Sequence, residues 1–251
     1  MQTRLTPRRK FEFISKAVYF PSEKILALGD MHLGYESMFR ESGSLIPAVQ
    51  EKQTEEDLKK IFSQLKKEKK PVEKVVFLGD VKHFFSYQKH EKNLFLELLL
   101  LIDNYVPRDN IIILKGNHEK FAEIADKKLI DYYIQGDIAF IHGDFLFKEA
   151  LDKKIKFVVM GHLHPAVSLK DKSGVKSEKY KCYLTGKYKD KMFIILPSFM
   201  PIIEGTSVNE YLSDSHCAVP VNSLKEFVVH AIGENNVYDF GKLKGLIREH
   251  D

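Results

Sequence analysis

Five short apolar segments of the chain each end in a glycine beside side chains that can bind metal ions. The segments read ILALGDMH, VVFLGD, IIILKGNH, IAFIHGD and FVVMGHLH, and they begin at Ile25, Val75, Ile111, Ile138 and Phe157. Together they carry seven candidate ligands, which are Asp30, His32, Asp80, Asn117, His142, His162 and His164. A carboxylate or imidazole at the end of a core strand loses hydration, and a divalent cation can compensate for that loss. The pattern therefore predicts a metal centre.

The candidate ligands offer oxygen atoms and imidazole nitrogens but no thiolate, a set that suits Mn²⁺, Fe²⁺ or Zn²⁺. Seven ligands are too many for one tetrahedral ion and fit two ions that share a bridging ligand. Two ions about 3.5–4 Å apart are a known device for in-line displacement at phosphorus. Asp30, Asp80, a hydroxide and a phosphodiester anion would balance the charge of two divalent ions. We therefore expect two divalent ions, with Mn²⁺ preferred and Fe²⁺ or Zn²⁺ as alternatives.

The elements that must position these side chains are strands that alternate with helices. The five apolar runs have the length and composition of buried strands. One helix is predicted after Thr54, its proposed N-cap, and a second from Leu94 to Tyr105, closed by Pro107. The buried face of the first helix would consist of Leu58, Ile61, Phe62 and Leu65. Such alternation predicts a largely parallel sheet, and all five ligand clusters would then lie at one edge of it.

Two hairpins are predicted outside this alternation, one from Val18 to Leu26 and one from Lys179 to Leu196, and they suggest a second sheet packed on the first. The segments Val221 to Ile232 and Val237 to Phe240 are further predicted strands. Residues 199–220 show no clear periodicity, so we expect a long ordered loop there.

The composition is that of a folded globular protein. The chain has 251 residues, of which 44% are hydrophobic and 29% charged, so disordered and fibrous proteins are excluded. We expect a single domain, residues 1–251, because no linker or internal repeat interrupts it. The longest apolar run, Leu94 to Ile102, is too short to span a bilayer. The basic amino terminus leads into no apolar signal region, and Cys182 and Cys217 form no paired motif, so we expect a cytoplasmic protein without membrane association.

Lysine is concentrated in one part of the chain. The net charge of +4 is too small to indicate an anionic partner. Between Lys170 and Lys191, however, eight lysines are interleaved with Tyr180, Tyr183 and Tyr188. Such a segment is typical of a solvated hairpin, the interpretation we favour, or of a surface that follows a nucleic-acid backbone and stacks on its bases.

The motifs DMH, GDVKH, GNHE, HGD and GHLH, in this order, resemble those of the calcineurin-like metallophosphoesterase superfamily. The resemblance extends from about Ile25 to Pro165. The strings HLGYES, GHLHPAV and LPS further resemble a prokaryotic branch of phosphoesterases associated with DNA ligase and the DNA-damage response. The resemblance implies an α/β fold in which two mixed β-sheets pack face to face with helices outside, an α/β/β/α sandwich.

The resemblance also implies roles for individual residues. One ion would be bound by Asp30, His32 and His164, the other by Asn117, His142 and His162, and both by Asp80. His118 matches the histidine that contacts the scissile phosphate and can protonate the leaving oxygen. His83 stands where phosphoprotein phosphatases carry an aspartate. The nuclease subunits of the double-strand-break repair complex have histidine there, so His83 favours phosphodiesters over phosphomonoesters. The absence of that aspartate leaves the orienting partner of His118 open, with Glu119 as one candidate. Apart from the resemblance, Arg40 follows the first motif closely and is either a phosphate ligand or solvent-facing.

The function implied is that of a phosphodiesterase with two divalent metal ions, whose substrate is a phosphodiester in DNA, RNA or a nucleotide. A first alternative is a phosphomonoesterase that acts on a small metabolite or a phosphoprotein. A second alternative is a scaffold that keeps the fold without catalysis, as a retromer subunit does. The sequence leaves open the natural substrate, the physiological metal, endo or exo action, and the oligomeric state.

Overall fold

The computed structural model describes residues 10–36, 49–82, 89–119, 122–124, 126–171, 176–211, 217–234 and 236–247. Two β-sheets form the centre of the fold, and helices cover their outer faces. A small separate hairpin pairs Glu123–Ile124 with Lys127–Lys128. Among the described residues, no helix combines the length and apolar character needed to cross a membrane.

The first sheet has five strands that lie side by side in chain order. They are β1 (Glu12–Ile14), β2 (Ala17–Phe20), β3 (Ile25–Leu28), β4 (Lys74–Phe77) and β5 (Ile111–Ile113). The first three strands pair antiparallel, whereas β3, β4 and β5 run parallel. Alternate residues of β3 and β4 face the outer helices and the second sheet, so both faces are buried. This double burial explains why these strands are continuous apolar runs.

Two long helices cover the outer face of the first sheet. They are α1 (Gln50–Lys67) and α2 (Lys89–Asp103). The predicted buried face of α1 is confirmed. The predicted N-cap is wrong, because the helix begins at Gln50 and Thr54 is buried within it. Glu36 acts as the cap instead, since its Oε1 accepts hydrogen bonds from the amides of Val49 at 3.2 Å and Gln50 at 3.0 Å.

The two short strands of the separate hairpin are β6 (Glu123–Ile124) and β7 (Lys127–Lys128). The strands of the second sheet are β8 (Tyr132–Gln135), β9 (Ile138–Ile141), β10 (Phe157–Met160), β11 (Pro165–Lys170), β12 (Ser177–Tyr188), β13 (Lys191–Ile195), β14 (Thr206–Ser207), β15 (Val228–Ile232) and β16 (Val237–Lys242). They lie in the order β8–β9–β10–β13–β12–β11–β14, and β12 also pairs with β15, which pairs with β16. Strands β9, β10 and β13 are parallel. Short helices pack on the outer face, namely α3 (Val221–Leu224) and the 3₁₀ turns Lys148–Leu151 and Leu243–Gly245. A third 3₁₀ turn, Arg108–Asn110, precedes β5.

The structure confirms the predicted fold and changes three details. The five ligand clusters follow strands of two sheets, β3 to β5 in one and β9 and β10 in the other, rather than strands of one sheet. The predicted hairpin at Val18 to Leu26 forms, but it extends the first sheet. The predicted strand from Val221 begins instead as α3 behind Pro220, and only Val228–Ile232 is extended. The hairpin from Lys179 to Leu196 is present as β12 and β13.

Candidate metal centre

The loops that follow β3, β4, β5, β9 and β10 meet where the two sheets face each other. Among the described residues, three groups of metal-ligand side chains form there, each with ligand atoms within 4.8 Å of one another. The groups are Asp30, His32 and His164, then His32, Asp80 and His118, and finally Asp80, His142 and His162. Shared members join the groups, so the sequence-predicted residues form one continuous cluster.

The first group surrounds the carboxylate of Asp30, which is fully buried. The Nε2 atom of His164 lies 3.3 Å from Oδ1 of Asp30 and 3.3 Å from Nε2 of His32. Burial alone would raise the pKa of Asp30. The imidazoles of His164, His142 and His32 outweigh it and lower the pKa to about 2. The carboxylate is therefore ionised at neutral pH and available as a ligand.

The third group, Asp80, His142 and His162, is centred on Nε2 of His142. This atom lies 3.1 Å from Nδ1 of His162, 3.2 Å from Oδ1 of Asn117 and 3.5 Å from Oδ2 of Asp80. The same Oδ2 lies 3.9 Å from Nε2 of His32 in the first group. Asp80 thus occupies the position between the two groups that a bridging ligand requires.

The tautomer of His142 is set from outside the cluster. Its Nδ1 atom lies 2.8 Å from the carbonyl oxygen of Leu78. Because a carbonyl oxygen only accepts, Nδ1 carries the proton, and the lone pair of Nε2 points toward Asp80 and His162. Although burial opposes it, the charges of Asp80 and Asp30 raise the pKa of His142. Burial and then His142 lower the pKa of His162.

The backbone at the cluster is strained. Five of the seven candidate ligands have positive φ angles, which are 56° at Asp30, 46° at His32, 47° at Asp80, 66° at His162 and 48° at His164. Each non-glycine residue in this region costs roughly 1–3 kcal/mol and persists only where its surroundings enforce it. The strain aims successive side chains into one small volume, which is typical of a functional site.

Two glycines allow the loops to come this close together. A Cβ atom on Gly116 would lie 2.1 Å from Oδ1 of Asp80, and one on Gly161 would lie 2.3 Å from Oδ2 of Asp30. Neither position can accept a side chain without moving a candidate ligand. The two carboxylates are also held by backbone amides of other loops, His118 N to Asp80 at 3.0 Å and His162 N to Asp30 at 3.0 Å.

The donor set, its burial and its spacing fit divalent metal ions. Two buried carboxylates and four imidazoles bring ligand atoms to distances of 3.1–3.9 Å, close enough to share ions placed between them. A model of the calcineurin-like phosphoesterase family matches residues 23–187, more than half of the chain. The chain belongs to this family. It is a metal-dependent phosphoesterase, a hydrolase of phosphoric ester bonds.

The likeness to solved structures concerns the fold. The nuclease MPE of Pseudomonas putida superposes with a TM-score of 0.60 at 16% identity, over 91% of this chain and 93% of that one. Vps29 of Entamoeba histolytica in complex with Zn²⁺ has a TM-score of 0.39 at 13% identity, over 86% of this chain and 96% of that one. No curated protein matches the sequence.

In this phosphoesterase, His118 lies at the open side of the cluster. Its Nε2 atom is 4.0 Å from Oδ2 of Asp80, and its side chain is 19% exposed whereas that of Asp80 is 3% exposed. A substrate can therefore reach His118, and also the 22% exposed His164, more easily than the buried His32 and Asp80. The other two predicted site residues, His83 and Arg40, lie outside the described residues.

Glu119 has a different role from the expected one of orienting His118. Its two carboxylate oxygens accept hydrogen bonds from four backbone amides, those of Asp80, Val81, Lys82 and Gly116, at 2.8–3.3 Å. Glu119 thereby joins the loop after β4 to the loop after β5. Burial and then the charge of Asp80 raise its pKa. Glu119 is a candidate in the sequence to orient His118, whereas in the structure its carboxylate organises the backbone around Asp80.

Sequence reasoning missed two supports of the phosphoesterase site. Gln50, at the start of α1, donates from Nε2 to the carbonyl oxygens of Met31 at 3.1 Å and His32 at 2.9 Å. Ser198 donates from Oγ to the carbonyl oxygen of Asp30 at 2.7 Å. Ser198 lies in the LPS string, which enters the sequence analysis only through a family resemblance. No local pattern indicates Gln50, because its partners Met31 and His32 are distant in sequence.

The lysine-rich segment is largely structural where it enters the sheet. Tyr183 is fully buried and donates its hydroxyl to the carbonyl oxygens of Ser15 and Ala17. Lys181 donates to backbone carbonyls near the metal cluster, and Lys191 is buried against Asp152. These three side chains are taken up by the fold itself, whereas Lys170, Lys176, Lys187 and Lys189 are exposed, as the favoured interpretation of a solvated hairpin predicts.

Proposed function

We propose that the protein is a phosphodiesterase with two divalent metal ions, Mn²⁺ in the first place and Fe²⁺ or Zn²⁺ as alternatives, and that its substrate is a phosphodiester of a nucleic acid or nucleotide. The observation that carries the proposal is the position of Asp80 Oδ2, within 3.9 Å of histidines from both groups. One ion is assigned to Asp30, His32 and His164, the other to Asn117, His142 and His162, and both to Asp80.

Bound divalent ions supply Lewis acidity and make water a competent nucleophile at neutral pH. The protein supplies the rest. Its strained loops hold the ligand atoms in place before substrate arrives, which avoids reorganisation during the reaction. His118 contacts the scissile phosphate and gives the proton on Nε2 to the leaving oxygen. Arg40 is a further proposed phosphate ligand, and its guanidinium could engage two phosphate oxygens.

Two observations favour a diester. His83 occupies the position where monoester-specific phosphoprotein phosphatases carry an aspartate. One solved structure that shares the fold over most of both chains, that of MPE, is named a nuclease. A nucleic-acid or nucleotide diester is therefore the substrate class we propose, in preference to a phosphomonoester.

A turnover panel tests this function. The purified protein with Mn²⁺ should hydrolyse bis(p-nitrophenyl) phosphate and at least one of single-stranded DNA, double-stranded DNA, RNA or a cyclic nucleotide. Hydrolysis of p-nitrophenyl phosphate should be slower. Faster turnover of the monoester would replace the proposal with a phosphomonoesterase. A protein that binds no metal and turns over none of these substrates would indicate a scaffold.

Metal affinity should fall as the pH is lowered from 8 to 5. Four of the assigned ligands are imidazoles, which bind a metal only when neutral and ordinarily titrate near 6.5. Because the carboxylates raise the pKa of His142, its protonation begins to compete above that value. Mn²⁺ titration calorimetry across this range measures the effect, with circular dichroism as the control for folding. Unchanged occupancy in a folded protein would show that histidines are not the ligands.

A further inference from the structure

Three consecutive backbone carbonyls beside the metal cluster are bound by two lysine ammonium groups. Lys181 Nζ donates to the carbonyl oxygens of Ser198 at 2.7 Å and Met200 at 2.5 Å. Lys16 Nζ donates to the carbonyl oxygen between them, that of Phe199, at 2.9 Å. We call these two lysines and the segment Ser198–Met200 the lysine clamp. The segment follows β13 without being part of a strand, so its carbonyls find no partners in a sheet ladder.

The other side of the same segment holds the backbone of the first ligand loop. Ser198 Oγ and the amide of Met200 both donate to the carbonyl oxygen of Asp30, at 2.7 and 3.3 Å. The amide of Phe199 donates to the carbonyl oxygen of Gly29 at 2.9 Å. The clamped segment therefore holds the backbone of Asp30, whose φ of 56° places its carboxylate between His32 and His164.

The lysines are unusual for their surroundings. Lys16 is buried, pairs with Asp57 at 2.6 Å and lies over the ring of Phe199 at 4.6 Å. Lys181 is partly buried, and burial followed by the charge of Lys16 lowers its pKa to about 7. Two like charges near each other oppose folding unless their hydrogen bonds offset the cost. Here the hydrogen bonds go to carbonyls that would otherwise be buried and unsatisfied.

We propose that Lys16 and Lys181 are positioning residues of the metal centre, which hold Asp30 in its strained conformation through residues 198–200. The inference rests on the proposed function, because it concerns the ion assigned to Asp30, His32 and His164. Replacement of an outer group that orients a ligand typically lowers metal affinity about 10–100-fold. Loss of the clamp should lower affinity for that ion and leave the ion at Asn117, His142 and His162 in place.

The main test is Lys181→Met, which keeps an unbranched apolar side chain and removes the terminal amino group with its charge and donors. Titration of the metal-free protein with Mn²⁺ should show one site weakened at least about 10-fold and the other unchanged. The matched control is Lys191→Met. Lys191 is also buried and donates to a backbone carbonyl, that of Asp152 at 2.8 Å, but lies at the start of β13, away from the cluster. The control should lose thermal stability without losing Mn²⁺ affinity.

A milder variant keeps the test decisive if Lys181→Met does not fold. Ser198→Ala removes only the hydroxyl that donates to the Asp30 carbonyl, and it should weaken the same site in the same direction. Wild-type affinity in Ser198→Ala and Lys181→Met, or equal losses in Lys181→Met and Lys191→Met, would overturn the clamp. A wild-type protein that binds a single ion would contradict the binuclear proposal instead, and the effect of Lys181→Met on that ion would still decide on the clamp.

Discussion

Asp80→Asn should release at least one metal ion and abolish most of the hydrolytic activity. The substitution keeps the size of the side chain but replaces the charged Oδ2, which lies 3.5 Å from His142 Nε2 and 3.9 Å from His32 Nε2. A neutral amide binds two cations far more weakly than a carboxylate does. We expect Mn²⁺ affinity and turnover of bis(p-nitrophenyl) phosphate to fall by about 100-fold or more, since even outer supports of a metal are worth 10–100-fold.

Asp137→Asn is the matched control for this prediction. Asp137 also bears a partly buried carboxylate in ion pairs, with Lys10 at 2.5 Å and Lys156 at 3.7 Å, but it precedes β9 and so lies at the opposite end of the sheet from the ligand loops. It should retain both ions and full turnover. Elemental analysis that finds two tightly held ions in an active Asp80→Asn protein would refute the bridging role.

The clustering of the candidate ligands could be predicted from the sequence because its signal is local. Each candidate lies within four residues of the end of a short apolar run, and a glycine in the same motif marks a close approach. At Gly116 and Gly161 the structure gives the reason, since a side chain there would collide with Asp80 or Asp30. Local patterns of this kind can be recognised without knowledge of long-range contacts, because the strand, the turn and the candidate ligand lie within a few residues of one another.

The division into two sheets could not be predicted in the same way. Strands β4 and β10 have the same appearance in sequence, KVVF and FVVM, and both are buried on both faces. Their pairing partners are set by contacts between distant residues, which hydrophobic periodicity does not report. The cap of α1 could not be predicted for the same reason, because Glu36, which accepts a hydrogen bond from the amide of Gln50, lies 14 residues earlier in the chain. Composition cannot show which lysines the fold covers, since Lys181 lies beside the buried residues 182–184 of β12 whereas Lys187 of the same strand is exposed.

His118→Ala should reduce hydrolysis of DNA or RNA far more than hydrolysis of bis(p-nitrophenyl) phosphate. A sugar alkoxide is a poor leaving group and gains charge that a proton from His118 would neutralise, whereas nitrophenolate leaves readily without one. General acid catalysis is typically worth about 10²–10⁴-fold, and its value grows with the basicity of the leaving group. We expect a loss in that range for the nucleic acid and less than about 10-fold for the activated diester.

Two measurements make the comparison specific to proton transfer. Mn²⁺ titration should show both ions retained, because His118 is not among the assigned ligands. The control is His230→Ala, since His230 contacts Thr185 at 2.8 Å between two strands of the second sheet and should leave both substrates unaffected. If His118→Ala slows both substrates by the same factor with both ions bound, His118 positions the phosphate rather than protonating the leaving oxygen. The proton would then have to come from another group or from solvent. The proximity of His118 Nε2 to Asp80 Oδ2, at 4.0 Å, would in that case only orient the ring toward the substrate.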